Sequence, residues 1–365
     1  MSSDEGAGGA SRPRPLQRAN VAPGPLKDLK DFLFDLYERS GGKNEKFPTL
    51  DKIAEEAKAA ADADEKLEFP GAPARDVIRE ILTQDAIPKQ LGNVKAIAIV
   101  LARRAHENAD AVEGQVDDLW EKLGPYKKEV ERYHKASASK TALVETVVDA
   151  HRMGHSCPIS RAVLEMAAPS YLPARELSEL SERWVEQDLD LHFTDGFLRR
   201  SPHLDHSRYN EPHYSVAKYV DQHVRWQRRN KNPPTELWTA LIEHGNRAYL
   251  FTPGYSAWQR GYLRVAIHLY RLAAESGDGL AIRYGAYALS GAGRLPEAIA
   301  WLDVGAKAGD HHAAREAAKL LQTAKSTDGV PEEEDCSTES GRLRRYGREP
   351  DGTIAEPWKC TPPKS

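Results

Sequence analysis

A chain of 365 residues with a net charge of −4 and 29% charged residues is long enough for two or three folded units, and it lacks the basic excess that holds nucleic acid by bulk charge. No apolar run approaches the roughly 20 residues of a membrane span, and the N-terminal string MSSDEGAGGASRPRP has no hydrophobic signal core. Three cysteines without metal-type spacing, Cys157, Cys336 and Cys360, fit a reducing compartment, so the expected location is the cytoplasm.

Residues 1–25 are Gly, Ser, Pro and Ala with few bulky apolar groups, which predicts a disordered lead-in. From Leu26 the spacing Leu26, Leu29, Leu33, Leu36, Tyr37 predicts an amphipathic helix that stops before Gly41. Thr49 offers an N-cap to a second helix carrying Leu50, Ile53 and Ala57. Pro73 suits the start of a third, with Val77, Ile78, Ile81 and Leu82 inward and Arg75 and Arg79 outward. Val94–Ala105 and Val116–Leu123 complete a five-helix domain over 26–123.

The words ARDVIREIL, AIP, NVKAIAIVLARR and VDDLWEKL resemble the N-terminal helix-turn-helix domains of bacterial Cro/repressor-type regulators. That resemblance implies DNA contact through the third helix and its neighbourhood, at Arg75, Arg79 and Lys89. Charge argues the other way: residues 26–123 hold 15 Lys and Arg against 21 Asp and Glu, and duplex binding draws most of its affinity from neutralised phosphates. Docking onto protein is the alternative use of the same helices.

Residues 124–230 are read as a helical middle domain: Thr141–Met153, Ser160–Ala167, Ala174–Leu191 with Trp184, an irregular His-, Pro- and Arg-rich stretch, and Tyr214–Arg229. The words HRMGHSCPISRAVLEMAAPSYL, ERWVEQDL and YSVAKYVDQHVRWQRR resemble the region that follows the nucleotide-binding core in STAND-class signalling ATPases, which often has winged-helix character. No G-x-x-x-x-G-K-[ST] phosphate loop occurs anywhere; Ser137–Thr141 has the Lys-Thr pair without the glycines.

The clearest pattern is GYLRVAIHLYRLAAESGD at 261–278, repeated 32 residues later as GRLPEAIAWLDVGAKAGD at 293–310, each followed by an Ala-rich helical stretch. A helix–turn–helix unit said twice is close to the tetratricopeptide period, and the repeats resemble tetratricopeptide/Sel1-like arrays. Pro233–Asn246 reads as a degenerate first unit, set apart by a linker-like word at Phe251–Gly254. The repeat region is 231–325; 326–365 is expected to be mostly disordered, with Arg342–Trp358 able to fold back on the array.

Candidate sites are few. His192, His203, His206, His213 and His223 lack Cys partners and metal-type spacing. The run Arg225, Arg228, Arg229, Lys231 with Trp226 suits either phosphate contact or a helix C-terminus. Cys157 beside His155 is not in itself catalytic geometry. Tyr270, Tyr284, Tyr287 and Trp301 serve either the repeat core or a partner-binding groove. The expectation is an all-α, non-enzymatic regulator without metal, cofactor or small-molecule substrate: a protein partner on the repeats and DNA on the N-terminal domain. The alternative is a pure protein–protein adaptor, of the kind a STAND-type system would use.

Overall fold

A computed structural model describes residues 16–41, 47–63, 70–191, 196–201, 212–326 and 338–364. The chain is mostly helical, as its periodicity predicts, with three short strands among the described residues. It divides into two compact units, Met1–Glu131 and Arg132–Ser365, each taken by itself below.

In the first unit, α1 (Pro25–Arg39), α2 (Leu50–Asp62) and α3 (Arg75–Thr83) pack around α4 (Leu91–Arg104). α4 is apolar all round from Ala96 to Ala102, as a central helix must be. Thr49 caps α2 by accepting from the Lys52 amide at 3.2 Å. Lys30 is buried on α1 and donates to the carbonyls of Glu80 (3.1 Å) and Ile81 (3.0 Å), two of the last acceptors of α3. Burial pulls its pKa down to about 8.

Two expectations are corrected here. Part of the lead-in is ordered: Ala19, Val21 and Ala22 are buried, and Arg18 pairs with Asp35 (2.5 Å) and Glu38 (3.0 Å) over the Phe34 ring. Residues 1–15 lie outside the described residues. The fifth helix is also longer than Val116–Leu123: α5 runs from Ala109 to His134 through Pro125. Asn108 caps it, and Tyr126, Val130 and Tyr133 continue a buried stripe past the proline.

The second unit begins with α6 (Ala138–Arg152), β1 (Ile159–Ser160) and α7 (Arg161–Ala167). The expected helix Ala174–Leu191 is two, α8 (Ala174–Glu179) and α9 (Trp184–Leu191), because Leu180 turns to an extended conformation. The stretch read as irregular, together with the first residues of the expected helix Tyr214–Arg229, pairs as β2 (Leu198–Ser201) and β3 (His213–Val216), so that helix starts only at Lys218. The sheet is antiparallel in the order β1-β3-β2, with Ile159 opposite Tyr214 and Leu198 opposite Val216. α10 (Lys218–Gln227) then packs on α6 and α11 (Thr235–His244) on α7.

Five helices follow in sequence, each packed on the next: α12 (Phe251–Gln259), α13 (Leu263–Glu275), α14 (Gly279–Gly291), α15 (Leu295–Lys307) and α16 (His311–Ser326). Three residues join each pair. Every turn centres on a glycine with positive φ (Gly261, Gly277, Gly293, Gly309), and these fall 16 residues apart. At Gly277 the amide bonds back to Ala274 and that of Asp278 to Ala273, the double closure of a Schellman turn. Asp278 and Asp310 then cap α14 and α16 through their carboxylates. One apolar core runs from Tyr133 through Ala317, so α6–α11 and the repeat helices share it.

In the tail, the expected disorder gives way over the described residues 338–364 to order, and the fold-back expected of Arg342–Trp358 is present. α17 (Glu339–Tyr346) is a helix, and the residues after it cross α13 and α15. The Arg348 amide donates to Gly261 O at 2.8 Å, and Arg264 pairs with Glu349 at 3.0 Å. Trp358 lies 3.8 Å over the buried Arg294 guanidinium, and Trp301 Nε1 donates to Cys360 Sγ at 3.1 Å. Arg342–Trp358 therefore folds back on the helices.

Candidate functional site

Phe251–Gly254, expected as a linker, is the first turn of α12. Pro253 sits at the third helical position, where its missing N–H needs no intrahelical partner. Gly254 is required by packing: a Cβ there would stand 2.9 Å from the Tyr270 ring. With this helix in place, an aromatic cluster forms across α12, α13 and α14. Tyr284 is its centre, with ring centroids at 5.1 Å from Phe251, 5.9 Å from Tyr255, 6.4 Å from Trp258 and Tyr270, and 6.1 Å from Tyr287. Tilted and edge-on contacts of this kind are the favourable arrangements for aromatic pairs.

The cluster has an inner and an outer layer. Tyr270 is fully buried; burial raises its pKa, and its hydroxyl has no hydrogen-bond partner among the described residues. Trp301 is also fully buried, filling the space left by Gly285, where a Cβ would meet its ring at 2.1 Å. These two, expected among the partner-binding aromatics, are core residues and out of a partner's reach. Tyr284 is half-buried, while Tyr255 and Tyr287 are 41% and 42% exposed. Tyr255 and Tyr287 are 32 residues apart, the same place in successive repeats. Sequence reasoning missed Tyr255 and Trp258 because it placed a linker at Phe251–Gly254 and assigned no helix to the residues between it and Gly261. The repeat period that aligned Gly261 with Gly293 also aligns Tyr255 with Tyr287 and was the signal that could have found them.

In the first unit Arg79 and Lys89 are exposed, and Arg75, also exposed, pairs with Asp51 at 3.2 Å. Other cations of this unit are committed to acids, Lys95 to Glu113 and Asp117 and Arg104 to Glu56. The structure thus leaves the three expected DNA-contacting residues at the surface, within an acidic unit.

Within the basic run at the end of α10, Arg228 is structural. Arg228 is buried, donating to both oxygens of Asp149 (2.7–3.0 Å) and to Glu145 at 2.5 Å. Tyr171 donates to Asp149 at 3.1 Å. Burial by itself would lower the Arg228 pKa, but the Asp149 carboxylate more than reverses it. Arg225 pairs with Asp221, and Arg229 lies 4.0 Å from the Trp226 ring. Arg228 fastens the end of α10 to α6, while Arg225 and Arg229 make their contacts within their own helix turn and stay exposed.

Cys157 Sγ stands 3.5 Å from His155 Nδ1, both buried. Burial pushes the thiol up to about 11 and the imidazole down to about 4. Both are neutral at pH 7, the reverse of an activated thiolate–imidazolium pair. Of the histidine set, His192, His203 and His206 lie outside the described residues; His213 is buried in β3, and His223 faces His134 with Nε2 atoms 3.1 Å apart. Among the described residues no three His, Cys, Asp or Glu side chains stand close enough to hold a metal, and no helix is long and apolar enough to cross a membrane.

Comparison of the chain with known protein families, curated proteins and solved structures finds no match.

Proposed function

We propose that this chain is a non-enzymatic regulatory scaffold that binds a protein partner on the aromatic surface of its repeat helices. The observation that carries this reading is the pair Tyr255 and Tyr287, equally exposed at equivalent repeat positions over a continuous aromatic layer. Tyrosine and tryptophan held by a packed base bring large contact area at low ordering cost, which is why they dominate interface hot spots. Three-residue turns and 16-residue spacing support a tetratricopeptide/Sel1-like reading of α12–α16. The order helix, strand, helices, hairpin over α6–β3, with sheet order β1-β3-β2, supports winged-helix character. Its α8 and α9 carry Glu176, Glu179 and Glu186, a composition suited to protein rather than to a duplex.

The test uses the full chain as bait against an extract of its source cells, alongside Tyr255→Ala/Tyr287→Ala. A partner retained by the parent and lost by the double variant supports the surface; identical partners in both remove it.

A second reading, DNA contact through α3, is favoured by the exposure of Arg79 and Lys89. A gel shift on bulk duplex separates it from the pure adaptor. A regulator loses affinity steeply as salt rises and weakens on Arg79→Ala, whereas an adaptor gives no shift.

A further inference from the structure

Resting on the reading that α12 and α14 present a partner surface, we propose that its occupant is an acidic peptide segment laid across α12, α14 and α16. Its apolar side chains sit on the tyrosines and its carboxylates at the basic end.

This face is poor in acids. The chain carries −4 overall, yet neither α12 nor α14 contains an Asp or Glu. One repeat beyond Tyr287, the equivalent place on α16 is Lys319, exposed, with Arg315 one turn before it. Glu316 is the single acid on α16, and it pairs with Lys319 at 2.7 Å. Arg283, one residue before Tyr284, is used within the fold: its buried Nε pairs with Asp310 at 3.7 Å, which leaves Arg315 and Lys319 as the cations of this face.

The alternating helices define which side is open. Gly347–Thr361 of the tail engages the turns at Gly261 and Arg294 and the helices α13 and α15. The set α12, α14 and α16 alternates with these, and Tyr255, Leu280 and Tyr287 on it remain exposed. A segment crossing from α12 to α16 would meet tyrosine, tyrosine and lysine at successive equivalent positions.

The probe is a phage-displayed library of random dodecapeptides selected against the full chain. Selected peptides are then synthesised with a fluorescent label and titrated against the parent, Tyr255→Ala/Tyr287→Ala and Arg315→Glu/Lys319→Glu. The expected result is enrichment of Asp and Glu beside Pro, Leu or Phe, with binding weakened roughly tenfold or more by either variant and by added salt. Peptides without acids, lost on the tyrosine variant but indifferent to the charge reversal, would overturn the acidic occupant and leave the aromatic surface standing. Binders indifferent to the tyrosine variant would overturn both. A library that yields no binder overturns the acidic peptide, while partner loss in the tyrosine variant would still uphold the surface.

Discussion

Arg228 shows how a side chain that looks like a surface cation in sequence becomes a structural one. It ends α10 in a run of basic residues, where a free arginine would complement the helix dipole. What holds it inside is Asp149 on α6, itself fully buried and three residues before Arg152, which also pairs with it. Arg228→Ala leaves the buried Asp149 to Arg152 and Tyr171 and takes the arginine from Glu145, so it should cost toward the lower end of about 3–5 kcal/mol of stability by urea denaturation. Arg225→Ala, on the exposed flank, should cost under about 1 kcal/mol. The pairing of residues 79 apart could not be read from the sequence, because local spacing carries no information about which helix lies opposite. Tyr270 makes the converse case. Its ring is needed under Tyr284, but its buried hydroxyl has no partner among the described residues. Tyr270→Phe should therefore be neutral or stabilising by up to about 1 kcal/mol in the same assay, where an equivalent change at a bonded tyrosine would cost stability.

At the scale of the element, glycine does two different things here. Gly277 closes the turn between α13 and α14 with φ of 102°, and a Cβ there would meet nothing within 4 Å. Its replacement by Ala strains the backbone alone, and the melting transition should report a loss of about 1–2 kcal/mol. Gly285 has ordinary helical φ but lies against Trp301. Gly285→Ala must displace that indole and should cost more than Gly277→Ala, although helix propensity by itself favours alanine. The turn glycines were legible from their 32-residue echo, and so was the existence of most helices. What was not legible follows from tertiary override. Pro253 and Gly254 read as a linker until Tyr270 is seen against them, and Gly124-Pro125 reads as a stop until Tyr126, Val130 and Tyr133 extend the buried stripe. The strands escaped for a related reason: β1 is two residues long, and β2 and β3 gain their order from one another rather than from their own composition. The aromatic surface was half legible, since Tyr284 and Tyr287 stood out on α14 while their partners on α12 did not.

At the scale of the molecule, two compact units with different buried titratable groups should respond to pH in opposite ranges. In the first, Lys30 has a folded pKa of about 8 against its ordinary 10.5. Below pH 8 both states hold the proton and the fold bears the full cost of burying the charge. Between 8 and 10.5 the unfolded chain keeps a proton that the native state has released, so stability rises with pH, by about 3 kcal/mol over the whole window. Above pH 10 Tyr126, pushed up to about 12 by burial, pulls the other way, so the clean range is 8 to 10. In the second unit His155 has a folded pKa of about 4 against 6.5. The unfolded chain gains its proton first as pH falls, so stability present above 6.5 is lost on the way to 4, again by about 3 kcal/mol. Lys30→Met should flatten the alkaline rise and leave the acid loss unchanged. His155→Gln, which can still donate to the Cys157 carbonyl, should do the reverse. Denaturant unfolding of the full chain across pH, read by hydrogen exchange at peptides from each unit, separates the two effects. If each substitution shifts the stability of peptides from both units alike, the units share one cooperative transition and the division at residue 131 has no thermodynamic counterpart.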